Sequence, residues 1–214
     1  MIKKTLLAIA ALTLAAAAHA DTTSVLTEGF ETGIPTGWTQ ANALATGDGW
    51  FADSGVLTAQ AGSSYAGSNF NVPAAAGGNF DVWLITPELN LISGASISFF
   101  TKTADAGFFD GLEVLFSSGS STALSSFSSL LTIGAGALPT DWSQFTTAVA
   151  DYTGAGRFAF RHTGNSNTAD FVGIDSVSVI TTAATTDVPE PASLALMGLG
   201  VAGLIAARRK QQRA

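Results

Sequence analysis

Cysteine is missing from this 214-residue chain, and basic residues are scarce between its two ends. The first absence excludes disulfide bonds, thiolate metal sites and cysteine nucleophiles. Between residues 21 and 187 the strong bases are Lys102, Arg157 and Arg161, against 15 carboxylates (all 16 except Glu190), which gives 3 − 15 = −12. Nucleic-acid binding needs clustered lysine and arginine to neutralise phosphates. The charge pattern therefore excludes a nucleic-acid-binding body, and it is compatible with divalent cations, cationic partners or simple solubility.

Helical periodicity is also missing before residue 192, where short apolar-alternating runs between turn residues take its place. Alternation with β-branched and aromatic enrichment indicates strands. The predicted strands are residues 24–30, 63–70, 80–86, 95–103, 111–118, 143–150, 156–163 and 170–180. Short strands without intervening helices predict an all-β protein, so we expect one jelly-roll β-sandwich over residues 21–180, with an up-and-down barrel as the alternative. The serine-rich stretch 117–129 is expected to form a long loop or a weak edge strand.

The N-terminus has the pattern of a secretory signal. Lys3 and Lys4 precede an apolar segment, residues 5–17, and Ala18-His19-Ala20 supplies a small-x-small cleavage site. The alternative is an N-terminal membrane anchor, but the apolar segment is short for a span of roughly 20 residues. We therefore predict a signal peptide over residues 1–20 that is removed from the mature protein.

The C-terminus combines three features. A Thr/Ala-rich linker, residues 181–188, leads to Val188-Pro189-Glu190-Pro191, whose prolines keep the chain extended. The apolar stretch 194–207 follows and is predicted to form a short helix. At ~1.5 Å per residue this helix is shorter than the ~30 Å hydrocarbon core. The basic residues 208–210 come next, and they would stay cytoplasmic and leave the body outside.

This tail, residues 189–214, resembles the PEP-CTERM sorting signal in its motif, its short helix and its basic end. The resemblance implies processing near the motif by an exosortase-type membrane transpeptidase in an exopolysaccharide-producing, Gram-negative-type bacterium. It also implies transient inner-membrane insertion through the C-terminal helix, followed by location in the cell envelope, on the outer surface or outside the cell. The alternative is an ordinary C-terminal membrane anchor.

Four body segments resemble, in order, the choice-of-anchor J domain, which is related to cleaved-adhesin and MAM-like jelly rolls. They are EGFETGIPTGW (28–38), DVWLITP (81–87), GLEVLFS (111–117) and VGIDSVSV (172–179). The resemblance implies a two-sheet jelly roll of surface or secreted proteins. It also implies that no conserved catalytic machinery is attached to the fold.

Asp175 is the carboxylate that stands out. Alternation around it changes phase between Ile174 and Val177, which indicates a bulge or a strand that is apolar on both faces. A carboxylate there is costly unless it is paired or metal-bound. The resemblance implies that Asp175 and Glu31 lie near a structural cation, for which we expect calcium with about six to eight oxygen ligands. In the alternative interpretation, Asp175 accepts hydrogen bonds from backbone amides of a neighbouring turn.

Aromatic residues supply the candidate ligand contacts. Phe108 and Phe109 lie on a loop tip between two predicted strands, and Trp50 and Trp142 follow polar turn residues. Exposed aromatic rings on loops can bind a partner or stack on sugar rings. The alternatives are that the loop folds back and buries the phenylalanines, and that the tryptophans pack into the core. Trp38 and Trp83 lie inside the family motifs and are expected in the core.

Catalytic signals are weak. His162 is the one histidine left after signal cleavage, and the sequence has no Gly-x-Ser-x-Gly elbow to accompany it. We therefore expect a non-enzymatic surface or extracellular-matrix protein that binds polysaccharide or surface proteins in an exopolysaccharide or biofilm context. The alternatives are a glycan-active hydrolase on the same scaffold and a purely structural, self-associating matrix subunit.

Overall fold

The computed structural model describes residues 22–182 continuously and residues 198, 200, 201, 203, 208, 209, 211 and 212 individually. Within residues 22–182 the chain forms twelve strands and a short 3₁₀-helix at Leu124–Ser126. The strands are β1 Thr22–Glu28, β2 Thr39–Asn42, β3 Phe51–Asp53, β4 Tyr65–Ser68, β5 Asn79–Ile85, β6 Leu89–Leu91, β7 Ala95–Thr103, β8 Gly111–Ser118, β9 Ser128–Ile133, β10 Ser143–Val149, β11 Gly154–Asn165 and β12 Val172–Thr182.

The strands form two six-stranded sheets, and all the strand pairs are antiparallel. The first sheet has the order β10-β7-β12-β4-β3, and β1 also pairs with β12. The second has the order β2-β5-β11-β8-β9, and β6 also pairs with β11. The long strands β12 and β11 are therefore the centres of their sheets. This two-sheet sandwich confirms the predicted all-β, jelly-roll class.

Alternating apolar residues of both sheets fill the space between them. Ile97 and Phe99 of β7 and Phe158 and Phe160 of β11 are fully buried in one cluster, and Phe99 and Phe160 meet edge to face at 5.0 Å. Burying such a side chain contributes about 1.5–3 kcal/mol. The inward-facing positions of these strands thus coincide with the period-two patterns seen in the sequence.

A bulge in β12 accounts for the phase change around Asp175. Pairing with β7 shifts register between Asp175 and Ser178, and Ser176 takes a positive φ of 51°. A positive φ is uncommon for a non-glycine residue and is typical of a local irregularity. The bulge lets both Ile174 and Val177 face the core, where each is fully buried.

The sequence prediction missed three short strands, and it placed several strand ends one or two residues from their positions in the structure. Strands β2, β3 and β6 have only three or four residues each, too few to show a period. The serine-rich stretch 117–129 was expected to form a long loop or a weak edge strand, and the edge strand β9 begins at its end, at Ser128, and continues to Ile133. β12 continues to Thr182, so Thr181 and Thr182, assigned above to the linker, pair with β1.

The two terminal signals lie largely outside the described residues. The predicted signal peptide, residues 1–20, and the motif residues Val188–Pro191 are not among them. In the tail, Gly198, Gly200, Val201 and Gly203 have helical backbone, as do residues 208, 209 and 211. Over the residues described, no helix has the length and apolar character needed to cross a bilayer.

Candidate functional site

Phe108 and Phe109 stand at the tip of the loop 104–110, which joins β7 to β8. Phe109 is 60% exposed and Phe108 is 38% exposed. The loop therefore does not bury the pair over the sandwich end, which was the alternative interpretation. Exposed rings of this size are the kind of surface that contacts a partner. We call Phe108 and Phe109 the aromatic tip.

The aromatic tip is held from both sides by the segment 165–171. The Asp170 carboxylate accepts hydrogen bonds from the Asp105 amide at 2.7 Å and the Thr103 hydroxyl at 3.4 Å. The Phe109 amide donates to the Thr168 carbonyl at 2.9 Å. The exposed rings consequently lie on a fixed loop, which reduces the entropy lost when a partner binds.

Trp50 was predicted as a surface contact, and that prediction is wrong. Its side chain is 2% exposed in the main core, with its ring 6.2 Å from that of His162. Within residues 22–182, its Nε1 is the one buried side-chain nitrogen or oxygen without a hydrogen-bond partner. Trp50 follows Gly49 into the space beside Val82, where a Cβ on Gly49 would come within 2.4 Å of Val82. Because Gly49 has no side chain, the backbone can approach Val82 closely, and the next residue, Trp50, then lies in the core.

Trp142 is half-buried and packs against the first sheet. Its Nε1 donates to the Thr58 carbonyl at 2.8 Å, and its ring meets Tyr65 edge to face at 5.8 Å. Among the described aromatic pairs, none joins Trp50 or Trp142 to the aromatic tip. The four predicted ligand-contact residues therefore do not form one site.

Glu31 and Asp175 are brought to the same loop, residues 60–64. The two oxygens of Asp175 accept hydrogen bonds from the amides of Gln60, Ala61 and Ser176 at 2.9, 3.1 and 2.5 Å. Glu31 accepts from the Ser63 amide and hydroxyl, with the shortest contact at 2.9 Å. Backbone amides of a neighbouring turn thus contact Asp175, as the alternative interpretation expected.

The two carboxylates have opposite pKa shifts. The Ser63 amide lowers the pKa of the exposed Glu31 carboxyl below its usual value. Burial raises the pKa of Asp175, whose side chain is fully buried, although three amides oppose this effect and the charge of Glu31 adds to it. The amides therefore do not fully compensate an ionised Asp175 for the loss of water.

His162 lies in a sealed polar network between the sheets. Its Nδ1 is 2.8 Å from the Ser68 hydroxyl, and its Nε2 is 2.9 Å from Asp110 Oδ1. Asp110 Oδ2 accepts from the Asp170 amide at 2.7 Å. Ser68 and His162 are 0% exposed and Asp110 is 2% exposed, so all three side chains are closed to solvent in this structure. This serine–histidine–aspartate arrangement joins the two sheets and anchors the base of the aromatic tip.

A second polar cluster, which the sequence analysis missed, lies on the outer face of the second sheet. Arg161 donates to Asp81 through Nε at 2.8 Å and Nη2 at 2.7 Å, and to Glu113 through Nη1 at 3.1 Å. Its guanidinium lies 5.3 Å from the Trp83 ring centre, and the Trp83 Nε1 donates to Asp81 at 2.7 Å. We call Asp81, Trp83, Glu113 and Arg161 the outer-face cluster.

Trp83 was expected in the core, and it is 5% exposed, but it lies outside the inter-sheet cluster. It packs with Ile85, Leu115 and Ala159 on the opposite face of the sheet. The sequence did contain a sign of this cluster. Asp81 and Trp83 are two residues apart on one strand, and Ala159 and Arg161 are two apart on the next, so each pair lies on one face of the sheet. The pairing of β11 with both β5 and β8 in register was needed to bring the four residues of the cluster together.

Comparison with known proteins identifies both parts of the chain. The PEP-CTERM protein-sorting motif matches residues 187–210, which supports the tail resemblance described above. Together with the adhesin relatives below, it indicates an exported protein, at the cell surface or secreted, that is processed by an exosortase-type system.

Hemagglutinin A of Porphyromonas gingivalis is 29% identical over 117 residues, which cover 51% of this chain and 4% of that protein. Lys-gingipain W83 of the same organism is 32% identical over 115 residues, which cover 50% of this chain and 6% of that protein. The chain thus corresponds to a small part of each of these relatives.

A solved structure gives a closer match in length. The crystal structure of the K3 cleaved adhesin domain of Lys-gingipain from P. gingivalis has a TM-score of 0.56 and 27% identity, and the alignment covers 75% of this chain and 99% of that one. The Cleaved Adhesin Domain model matches residues 23–179, which include almost the whole sandwich. The chain therefore belongs to the cleaved adhesin domain family.

Proposed function

We propose that this chain is a non-catalytic adhesive domain of the bacterial surface or extracellular matrix, which binds polysaccharide or surface proteins through the aromatic tip. The observation that carries the proposal is the pair of exposed phenylalanines on a loop fixed by hydrogen bonds at both ends. Membership of an adhesin family and an export tail support it. The exopolysaccharide or biofilm setting is part of the proposal.

A binding role is favoured over a hydrolytic one by the burial of Ser68, His162 and Asp110. A nucleophile and its base must reach the scissile bond. These three residues are closed off between the sheets, so they fit a structural role.

The tail supplies the route to the surface. We propose that the C-terminal helix inserts transiently into the inner membrane and that an exosortase-type transpeptidase processes the chain near Val188-Pro189-Glu190-Pro191. The mature protein would then be the acidic body.

We further propose a structural calcium ion at Glu31 and Asp175. Asp175 is buried, incompletely compensated and close to a second carboxylate, which favours a cation. These side chains and the Gln60 amide oxygen would supply part of the coordination, and backbone carbonyls or water the rest. Within the described part of the chain, no group of three or more acidic, histidine or cysteine side chains forms a metal site.

The aromatic tip is tested by a pull-down. The protein is expressed from its full chain in the organism that produces it, so that its terminal signals are processed, and it is then incubated with that organism's exopolysaccharide and envelope proteins. Phe108→Ser with Phe109→Ser is expected to reduce retention at least tenfold. Ile92→Ser is the matched control, because Ile92 is 41% exposed and lies before β7, at the opposite end of that strand from the tip.

Unchanged retention of the double variant would overturn the proposed site. Release of reducing sugar from the exopolysaccharide would favour the hydrolase alternative. Sedimentation as large assemblies without any retained partner would favour a structural matrix subunit.

A further inference from the structure

A row of five side chains crosses the outer face of the second sheet. Cα pairing sets them side by side on β2, β5, β11, β8 and β9, in the order Ala41, Trp83, Arg161, Glu113 and Thr132. Neighbouring strands lie about 4.8 Å apart, so the row extends for roughly 19 Å. We call these five residues the cross-sheet row.

The polar centre of the row is both open to solvent and rigid. The Arg161 side chain is 31% exposed and that of Glu113 is 23% exposed. Asp81 holds the guanidinium bidentately and the Trp83 ring lies beneath it. A fixed fork of donors loses little rotamer entropy when it binds a ligand.

The charges of the outer-face cluster indicate which class of ligand this surface matches. Asp81 and Glu113 together carry one more charge than Arg161 supplies, so the outer-face cluster has no surplus positive charge for an anion. Among the hydrogen bonds of the described residues, none uses Glu113 Oε1. A guanidinium donor and a free carboxylate oxygen therefore lie on adjacent strands. Hydroxyl groups both donate and accept hydrogen bonds, so a neutral, polyhydroxylated ligand matches this pair.

An aromatic side chain, Phe127, lies beside the cross-sheet row. The segment 119–127 crosses the sheet face, and its Phe127 ring meets Trp83 at 5.8 Å. The segment is fastened by a 2.8 Å hydrogen bond between Ser117 and Ser126 and by Arg157, which donates to the Ser120 carbonyl at 3.1 Å. Phe127 remains partly exposed. Pyranose rings present C–H faces as well as hydroxyls, and an aromatic edge beside hydrogen-bonding groups suits both.

We propose that the cross-sheet row binds a neutral saccharide, with Arg161 and Glu113 contacting hydroxyls and Phe127 packing against the ring. The site names a ligand class for the proposed adhesive function and in that respect rests on it. It uses none of the residues of the aromatic tip, so variants at each site can fail separately.

The test is calorimetric titration of the full chain with neutral pentasaccharides of glucose, galactose, mannose and xylose, and with pentagalacturonate as the anionic counterpart. At least one neutral sugar is expected to bind and to shift the NMR resonance of the Arg161 Nε–H. Glu113→Gln is expected to weaken that binding at least tenfold, and Arg161→Lys to do the same.

Glu88→Gln is the matched control, since Glu88 lies on the same side of the molecule, is 44% exposed and contacts Arg157 only at 3.9 Å. It should bind within twofold of the wild type. The Tm of Glu113→Gln checks that the fold is intact, and it keeps the test valid if Arg161→Lys fails to fold. Binding of pentagalacturonate alone, binding of no sugar, or wild-type affinity of Glu113→Gln would each overturn the site. Loss of sugar binding in the Phe108/Phe109 variant with an unchanged Glu113→Gln would assign the sugar to the aromatic tip instead.

Discussion

Arg161 and His162 are consecutive residues of β11, yet each anchors a polar cluster of a different kind. His162 points between the sheets, where it and its partners Ser68 and Asp110 are closed to solvent. Arg161 points outward, where its partners leave it partly exposed. The interior cluster pairs an imidazole with one carboxylate, and the outer cluster pairs a guanidinium with two. Strand alternation separates the two clusters. The two clusters therefore differ in exposure: the one around His162 is closed to solvent, and the one around Arg161 is partly open to it.

The largest effect on stability is expected from removing the imidazole of the buried His162. His162→Leu leaves Asp110 Oδ1 and the Ser68 hydroxyl buried without a hydrogen-bond partner, while Asp110 Oδ2 keeps the Asp170 amide. It should therefore lower the free energy of unfolding by about 3–5 kcal/mol. Urea denaturation followed by circular dichroism measures it. Asp110→Asn preserves shape and one acceptor and should cost less. A His162→Leu variant as stable as the wild type would show that the network is dispensable.

Calcium is expected to have a smaller effect on the free energy of unfolding, through the buried Asp175 and the exposed Glu31 beside it. If calcium binds there, calcium at ~100 times its Kd should add about 2.7 kcal/mol of stability. Differential scanning calorimetry should then show a higher Tm with calcium than with chelator, and Asp175→Ala should abolish the difference. Identical melting curves in the two conditions would argue against the metal.

The pH dependence of stability separates the same two carboxylates. Because the pKa of Asp175 is raised, its contribution is present below the ordinary aspartate value of about 3.9 and is lost as the pH rises through the raised pKa. Because the pKa of Glu31 is lowered, its contribution is present above about 4.3 and is lost as the pH falls through the lowered pKa.

Urea midpoints between pH 3 and 8 in chelator are the measurement. Asp175→Asn should remove the loss on raising the pH, and Glu31→Gln should remove the loss on lowering it. Parallel profiles for wild type and both variants would contradict the assignment.

Replacing Arg161 should lower the free energy of unfolding by less than replacing His162. Arg161→Ala leaves Asp81 with its hydrogen bond from Trp83 and some access to water, so a cost of about 1–2 kcal/mol is expected. Urea denaturation alongside His162→Leu gives the direct comparison. A cost equal to that of His162→Leu would mean that the outer-face cluster is as structural as the interior one.

The smallest effect on stability is expected at the aromatic tip. Phe109→Ser should change the free energy of unfolding by no more than about 0.5 kcal/mol, because its ring is largely exposed. The neighbouring Asp110 is buried and should be far more sensitive. A large loss from Phe109→Ser would show that the ring is a packing residue and would weaken the proposed contact site.

Strands with a long period-two pattern were predictable, and short ones were not. Residues 95–103 and 111–118 were assigned with the bounds that β7 and β8 have in the structure. β6 has three residues and is a strand because β11 pairs with it. Its sequence gave no periodic signal, since two alternations are too few to distinguish a strand from a turn.

The candidate site was predictable in part. The position of Phe108 and Phe109 on a loop follows from the two strong strands beside them, but their exposure was decided by the tertiary structure. Trp50 resembled a turn residue and is buried by tertiary packing. The outer-face cluster needed the register of three strands, which hydrophobic alternation alone does not fix across a sheet.

The sequence by itself determined the all-β class, the acidic body and the sorting tail, because alternation, composition and a contiguous motif are local properties. It also determined that Arg161 and His162 point to opposite faces. Only the tertiary structure decided which face is sealed, which carboxylates meet each base and which rings remain in solvent, because contacts between strands far apart in the chain fix all three.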